Sequence, residues 1–389
     1  MSSAQQGTSA QQGPSGRRGE RAYAAVPTFG VEEEFYLVDR ETRATVARAP
    51  DVIKHAGDRL GDRIGPELFT TTVETRTRPV ATLDEMRREL RGLREGLGAA
   101  ADEAGCRVVA SGTPVIPFRG PLEIVEDEPR YRQLADSYGP FVSDDRNTGA
   151  CACHVHVAVS GREEAVQLCN HLRPWLPALQ ALAANSPFQS GRDSGFASWR
   201  ALHFGRWPHV GPTPPFRDAV AYDALVDTLV ASGMLQDRKH VYWYARPSEH
   251  WPTLEIRVPD VNAELDTVLL VAVLARGLVG VLLDDVRRGA AAPAVADPLL
   301  RAAHWRAARD GLRGSGVDPL TGRLWPAPDL VDRLVERAAP ALEAAGELRF
   351  ARSAWHRLRA SGGGAARQRA AYARRGDLRD VVDALTVRG

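Results

Sequence analysis

The chain has 389 residues, of which 44% are hydrophobic and 25% are charged, and its formal net charge is +1. These values are ordinary for a protein with a buried core, and the near-zero charge argues against a protein that binds nucleic acid or an anionic membrane surface. The most apolar run, residues 265–283, is interrupted by Asp266 and Arg276. We therefore predict a buried core helix there rather than a membrane span.

Cysteine and lysine are both scarce. The four cysteines are too few for a disulfide framework, and the N-terminal residues contain no apolar segment of a signal peptide, so we expect free thiols in a reducing cytoplasm. Of the 50 basic residues, only Lys54 and Lys239 are lysines, and neither lies in a phosphate-binding G-x-x-x-x-G-K-[ST] motif. A nucleotide would therefore have to be held through metal and arginine.

Residues 1–26 are rich in Gln, Ser, Gly and Ala and are predicted to form a disordered tail. Residues 27–385 are predicted to form a single catalytic domain. Five segments have the composition and alternation of strands. In chain order these are 27–39, 68–80, 106–112, 150–159 and 253–260.

Helical patterns lie between and after these strands. Residues 82–104 form an amphipathic helix with Thr82 as its N-cap, and a second helix over 162–185 should be kinked by its two prolines, Pro174 and Pro177. Residues 113–149 and 185–200 are predicted loops, and the chain is mostly helical from residue 263 onward. This order predicts an α+β fold with a mainly antiparallel sheet.

Alternate residues of a strand point to opposite faces of the sheet. Sorted in this way, four strands each place charged or metal-binding side chains on one face and mostly apolar ones on the other, with Glu33 as an exception on the apolar side. The polar face so defined carries Glu32, Glu34, Glu74, Arg76, Arg78, His154, His156, Glu255 and Arg257. An ordinary solvated face would carry more Lys, Ser, Thr and Gln, so we interpret this face as a functional site.

Carboxylates that lie close together repel one another unless cations separate them. Mg²⁺ takes oxygen ligands and commonly bridges carboxylates to substrate phosphates, and arginines bind phosphate or carboxylate oxygens in a bidentate manner. The combination predicts a phosphoryl-transfer site that works by positioning and electrostatics.

The stretch "ACACHVHVAV" (150–159) resembles a zinc site because Cys and His are preferred zinc ligands. On one extended strand, however, Cys151 and Cys153 fall on the face opposite His154 and His156, so the four cannot reach one ion. The cysteines are predicted to be small core residues. A zinc ion held by both histidines and a carboxylate from another strand stays open at this point.

Five motifs together resemble one known family. They are "FGVEEEFYLVD", "PELFTTTVETRT", "CACHVHVAV", "ANSPFQSGRDSGFASWR" and "ARPSEHWPTLEIRVPD". In this order they resemble the carboxylate–amine ligase family, also called glutamate–cysteine ligase type 2, from about residue 28 to about residue 285. The strands with E-x-E, H-x-H and E-x-R also resemble those of glutamine synthetase.

The resemblance implies an antiparallel sheet that forms a concave active site backed by helices, with a helical C-terminal third. It implies an ATP- and Mg²⁺-dependent reaction in which the γ-carboxylate of L-glutamate is phosphorylated and then coupled to an amine such as cysteine. It also implies small-molecule partners only and is compatible with a homodimer.

The resemblance further implies roles for individual residues. The implied Mg²⁺ ligands are Glu32, Glu34, Glu67, Glu74, His154 and Glu255. The implied catalytic residues are Arg257, Glu255 and Arg76, and the implied substrate- or nucleotide-binding residues are His156, Arg78, Arg192, Arg200 and Arg246. Tyr244 and Pro259 depart from the family pattern, which bears on the choice of acceptor.

Four hypotheses remain at this stage. The first is the ligase, with cysteine or with a different amine of secondary metabolism as the acceptor, because one methylene or hydroxyl in a pocket is worth only about 1–3 kcal/mol. The others are a kinase that forms no amide, a non-catalytic homologue that binds metal or nucleotide, and a zinc hydrolase.

Overall fold

A computed structural model describes residues 26–120, 123–125, 129–138 and 149–387. The predicted tail lies outside these residues except for Val26, as do residues 121–122, 126–128 and 139–148 of the predicted loop at 113–149. The strands are β1 (Phe29–Asp39), β2 (Ile64–Pro66), β3 (Thr72–Arg76), β4 (Cys106–Val109), β5 (Cys153–Ala158), β6 (Phe188–Gln189), β7 (Arg192–Asp193), β8 (Ala245–Pro247), β9 (Thr253–Ile256), β10 (Ser315–Val317) and β11 (Leu324–Pro326). The helices are α1 (Ala49–Leu60), α2 (Leu83–Glu103), α3 (Pro129–Ser137), α4 (Arg162–Leu172), α5 (Leu176–Ala183), α6 (Trp199–Phe204), α7 (Ala219–Ala231), α8 (Leu265–Arg287), α9 (Asp297–Asp310), α10 (Ala327–Ala344), α11 (Leu348–Ser361), α12 (Gly363–Arg375) and α13 (Leu378–Leu385).

One seven-stranded sheet organises the molecule. Its strand order is β2-β3-β1-β5-β9-β8, with β4 paired to the C-terminal half of β1. Every strand pair in it is antiparallel. The predicted α+β fold with a mainly antiparallel sheet is therefore confirmed.

The apolar face of the sheet packs against helices. Val31, Val155 and Ile256 are fully or almost fully buried and share one core cluster with α8 and with helices α4 and α5. Within the described residues, α8 alone is long and apolar enough to cross a membrane, yet 83% of its most apolar window is buried inside the protein. The prediction of a buried core helix is confirmed.

Glu33, on the apolar side, has a specific partner. Arg94 of α2 donates to both carboxylate oxygens of Glu33, at 2.6 and 3.1 Å, and also to the carbonyls of Asn262 and Ala263. A buried charge is tolerated when it is paired and hydrogen-bonded in this way. The pair fixes β1 to α2 directly behind Glu32 and Glu34.

Several predicted elements differ from the observed ones in their bounds. The helix predicted over 162–185 is two helices, α4 and α5, because Pro174 lacks the N–H that would continue α4. Helix α2 begins after Thr82, which is the N-cap as predicted and forms a capping box with Glu85. The predicted loop at 185–200 contains the short β6–β7 hairpin and leads into α6.

Candidate active site

A cavity of about 370 Å³ lies over the polar face of the sheet. Eleven of the thirteen site residues predicted from the sequence line it: Glu32, Glu34, Glu67, Glu74, Arg76, His154, His156, Arg200, Arg246, Glu255 and Arg257. Residues from five strands and from α3 and α6 contribute to its walls. The face that was defined by alternation alone is thus, apart from Arg78, the floor of this cavity.

Strand register places the charged residues beside one another. Glu32 on β1 lies opposite Arg76 on β3 and opposite His154 on β5. His156 lies opposite Glu255 on β9, which in turn lies opposite Arg246 on β8. Directly paired residues of antiparallel strands have Cβ atoms about 5 Å apart. The residues that are paired across β3, β1 and β5, and those paired across β5, β9 and β8, therefore form two groups of interacting side chains.

His154 lies among three carboxylates. Its Nδ1 is 3.5 Å from Glu32 and 3.9 Å from Glu255, and its Nε2 is 3.7 Å from Glu34. The imidazole is 4% exposed, and Nε2 has no hydrogen-bond partner among the described residues. These separations are too long for good hydrogen bonds. They are suited to an ion that lies between the nitrogen and the oxygens.

Three sets of ligand atoms each lie within 4.8 Å of one another. The sets are Glu32 with Glu74 and His154, Glu32 with His156 and Glu255, and Glu34 with Glu67 and Glu74. Most of the donors are carboxylate oxygens, which Mg²⁺ prefers. The residues present therefore fit a divalent oxygen-seeking cation, and no cysteine belongs to any of these sets.

The carboxylates at the β2–β3 side of the cavity are hard to ionise. Burial, together with the charge of Glu34, raises the pKa of Glu67 to about 8. Burial and the charge of Glu32 raise the pKa of Glu74 well above its ordinary value. Without a cation, these carboxylates repel their neighbours and tend to hold protons.

The carboxylates near β5 and β9 behave in the opposite way. Burial alone would raise the pKa of Glu255, but Arg246, Arg257 and the two histidines hold it well below the usual range. Burial also opposes the ionisation of Glu32, yet His154 and His156 lower its pKa. Burial, assisted by Arg257, lowers the pKa of His154, which favours the neutral imidazole that can bind a metal.

Arginines cover the β8–β9 side of the site. Arg246 donates to both oxygens of Glu255, at 2.7 and 3.3 Å, and Arg257 donates to the same carboxylate. The Arg257 guanidinium lies 5.4 Å from the ring centroid of Tyr242, and its Nε has no hydrogen-bond partner among the described residues. Arg76 donates to Glu74 at 3.1 Å on the other side.

Two predicted arginines do not line this cavity. Strand β3 ends at Arg76, so the alternation no longer applies to Arg78, which is exposed and lines a separate surface depression. Arg192 is exposed in the β6–β7 hairpin. The structure brings neither of them to the other site residues.

The cysteines are buried, as predicted, but not on one common surface. Cys153 packs with Val155 and Val157 in the core behind the sheet. Cys151 precedes β5 and belongs to a different core cluster, where its thiol interacts with the Tyr36 hydroxyl. The prediction that Cys151 shares the valine face is therefore corrected, because regular strand pairing begins only at Cys153.

Several cavity residues were not predicted from the sequence. These are Arg130, Tyr131, His203, Phe204, Trp207, Lys239, Tyr242, Ser248, His250 and Trp251. The motif "ARPSEHWPTLEIRVPD" contains three of them and could have indicated the β8–β9 hairpin. Arg130 and Tyr131 lie on α3, in a stretch whose sequence has no clear periodicity.

The fold has close counterparts among solved structures. The crystal structure of glutamate–cysteine ligase from Francisella tularensis in complex with AMP superposes with a TM-score of 0.70 at 12% identity, covering 92% of this chain and 88% of that one. This likeness, together with a charged concave site on an antiparallel sheet, defines a protein of the glutamate–cysteine ligase fold. The predicted fold class is thereby confirmed.

Sequence comparison gives the family. The model of glutamate–cysteine ligase family 2 matches residues 28–384, which extends through the C-terminal helices and well beyond the motifs found by inspection. A protein named "Putative glutamate–cysteine ligase 2" from Salinispora arenicola is 46% identical over 359 residues, covering 92% of this chain and 94% of that protein. A second relative, from Mycobacterium sp. (strain KMS), is 45% identical over 93% of this chain and 98% of its own length. The chain belongs to glutamate–cysteine ligase family 2 and is a ligase.

Proposed function

We propose that the enzyme is an ATP- and Mg²⁺-dependent carboxylate–amine ligase that activates the γ-carboxylate of L-glutamate and joins it to an amine. The observation that carries this proposal is the cluster of carboxylates and histidines on one face of the sheet, with arginines at its border. The names of the relatives and the AMP bound to the Francisella enzyme add support.

The residues proposed to hold Mg²⁺ are Glu32, Glu34, Glu67, Glu74, His154 and Glu255. Bound Mg²⁺ would neutralise phosphate charge and polarise the phosphoryl oxygens. The short distances among the carboxylate oxygens and the raised pKa values of Glu67 and Glu74 both support a bound cation there.

The reaction is proposed to have two steps. A γ-carboxylate oxygen of glutamate attacks the γ-phosphorus of ATP, the bond to the bridging oxygen breaks, and ADP leaves with the electron pair. The amine nitrogen then attacks the acyl-phosphate carbon, the carbon–oxygen bond to phosphate breaks, and the nitrogen loses a proton as the amide forms.

Arginines and His156 are proposed to orient the anionic groups in both steps. Arg257 and Arg246 are held by Glu255, and Arg246 also donates through Nη1 to the carbonyls of Lys239 and Val241. The N–H groups that are proposed to bind phosphate oxygens are therefore chiefly those of Arg257, whose Nε has no hydrogen-bond partner among the described residues. His156 is fixed through Nδ1 by Thr253 at 2.9 Å, and its Nε2 lies 3.5 Å from Glu32. Arg200 and Arg76 are proposed to contact acidic substrate groups from the other walls.

The acceptor is proposed to be a small amine, with cysteine as the family's nominal acceptor and an amine of secondary metabolism as the alternative. We also propose a cytoplasmic location, which agrees with four buried free cysteines.

The test is an ADP-release assay on the purified enzyme with L-glutamate, Mg²⁺ and a panel of amines that includes cysteine, with mass-spectrometric detection of the product. We expect ADP release that depends on glutamate and Mg²⁺ and a γ-glutamyl amide of one amine. ADP release with a phosphorylated product and no amide would instead indicate a kinase, and release that needs no glutamate would contradict the proposal.

A matched pair of variants assigns the turnover to this site. Glu34→Gln alters a proposed ligand, whereas Glu103→Gln alters an exposed glutamate at the end of α2 that pairs with Arg59. Glu34→Gln should abolish most of the ADP release, and Glu103→Gln should leave it unchanged.

A further inference from the structure

Asp260, just beyond β9, is a buried carboxylate with several donors. Its Oδ2 accepts hydrogen bonds from the Asn185 backbone N–H at 2.8 Å and from the Ser186 hydroxyl at 2.7 Å. Its Oδ1 accepts a hydrogen bond from the Ser198 hydroxyl at 2.9 Å. The residue is 2% exposed and does not line the cavity, so we expect it to act on a substrate only through its neighbours.

These donors lie at the two ends of the segment that leads from α5 into α6. Asn185 and Ser186 begin the segment, and Ser198 ends it as the N-cap of α6. The Ser198 hydroxyl also accepts the Ala201 N–H at 3.3 Å, and the Ser186 hydroxyl accepts the Arg200 N–H at 3.1 Å. One carboxylate thus holds both ends of the segment and the first turn of α6.

Arg200, the second residue of α6, extends from this anchored turn into the cavity wall. Its guanidinium donates to the carbonyls of Arg257 and Val258, at 3.2 and 3.3 Å, and lies 3.6 Å from Asp260 Oδ1. The side chain is 4% exposed, and its Nε has no hydrogen-bond partner among the described residues. A buried guanidinium N–H beside a cavity is suited to an anionic substrate group.

The residues that bind Asp260 also contact the C-terminal helices. Gln368 of α12 donates to the side-chain and backbone oxygens of Asn185, at 2.9 and 2.8 Å. Two glycines make room for this packing: a Cβ at Gly364 would lie 2.3 Å from Asn185 Oδ1, and a Cβ at Gly112 would lie 2.9 Å from Ser186 Oγ. The C-terminal third therefore supports the active-site wall from behind.

We propose that Asp260 is a positioning residue that sets the first turn of α6 and thereby fixes the Arg200 guanidinium where it binds an anionic group of a substrate. The inference rests on the proposed function for the identity of the substrates. According to this inference, the rate depends on Asp260 although Asp260 does not line the cavity. Displacements of about 1 Å in such positions cost on the order of a hundredfold in rate.

The test compares Asp260→Asn with Asp318→Asn in the ADP-release assay. Asp318 is a matched control because it is also buried and accepts from Thr321, Leu320 and Arg333. None of these donors belongs to α6 or lines the cavity. Both variants should lower the melting temperature. Only Asp260→Asn should lower kcat/KM, by about 10- to 100-fold, as changes behind a catalytic side chain commonly do.

The KM values of the two substrates distinguish a positioning role of Asp260 from a general loss of structure. Arg200→Lys should raise the KM of either L-glutamate or ATP, and Asp260→Asn should raise the KM of the same substrate. In the double variant, Asp260→Asn should add less than about a twofold further loss, because both changes remove one interaction. Equal losses for both substrates, or fully additive effects, would overturn the proposal.

Hydrogen exchange provides a result that does not require turnover. The amides of Trp199–Phe204 should exchange about tenfold faster or more in Asp260→Asn and at the wild-type rate in Asp318→Asn. Unchanged exchange in α6 would overturn the positioning role even in an active enzyme. Absence of ADP release from the wild-type protein would instead overturn the proposed function and leave the exchange result to decide the role of Asp260.

Discussion

The two sides of the active-site cavity both carry carboxylates, but they neutralise them differently. On the β8–β9 side, Glu255 is bound by Arg246 and Arg257, and its pKa is low. On the β2–β3 side, Glu67 accepts a hydrogen bond from the neighbouring Leu68 N–H, and Glu74 is paired with Arg76, which is 44% exposed. Their pKa values are raised.

This difference indicates where a cation from solution is needed. The chain supplies its own positive charges on the β8–β9 side, where Arg246 and Arg257 pair with Glu255. The β2–β3 side has more negative charge than Arg76 balances, and protons or a divalent ion must balance the rest. Substitutions on the two sides should therefore have different consequences.

The largest effect is expected for turnover. Glu34→Gln removes a carboxylate that lies between the two sides and belongs to a proposed ligand set with Glu67 and Glu74. We expect kcat to fall about 10²-fold or more, because Mg²⁺ contributes several kcal/mol to such reactions. Steady-state ADP release checks this, and unchanged turnover would show that the metal-site assignment is wrong.

Stability should change in opposite directions on the two sides. Glu255→Gln leaves two partly buried guanidinium groups without a carboxylate and should lower the free energy of unfolding by about 3 kcal/mol. Glu74→Gln removes a carboxyl group that burial and Glu32 make costly to ionise, and it should raise the free energy of unfolding of the metal-free protein by about 1 kcal/mol. Urea denaturation in the presence of a chelator measures both values. A similar loss in both variants would contradict the contrast between the sides.

The stability of the metal-free protein should also depend on pH. The pKa of Glu67 is about 8 in the folded state and near the ordinary value of 4.5 when unfolded. The folded state therefore binds more protons between these values, and stability should fall as pH rises from about 5 to 8, by at most about 1.4 kcal/mol per unit. Saturating Mg²⁺ should reduce this slope. Stability that rises over this interval in the chelated protein would show that Glu67 is not the dominant group.

Much of the site could be predicted because strand alternation is a strong physical constraint. Side chains two residues apart share a face, so Glu32 with Glu34 and His154 with His156 could be assigned without knowing which strands pair. The constraint fails where the strand ends, which is why Arg78 was placed with Arg76 although it lies outside the cavity.

Other features depend on contacts between distant segments. Nothing in the sequence near Asp260 indicates that Asn185, Ser186 and Ser198 converge on it. The Glu33–Arg94 pair could have been anticipated in part, since Arg94 is four residues after Leu90 on the buried stripe of α2. The place of Tyr131 in the cavity wall could not have been anticipated, because the packing of α3 over Pro66 brings it there.

The smallest effects are expected for the two cysteines, and they test whether the cation site is confined to the polar face. Cys153→Ser places a hydroxyl among valines behind the sheet and should cost about 1–2 kcal/mol of stability, whereas Cys151→Ser retains a partner in Tyr36 and should cost less. Both variants should keep ADP release within about twofold and leave the metal content unchanged, as measured by atomic absorption. Loss of a bound metal in either variant would revive the zinc hypothesis, and in Cys153→Ser it would place the cation on the face that carries the valine core and the Glu33–Arg94 pair.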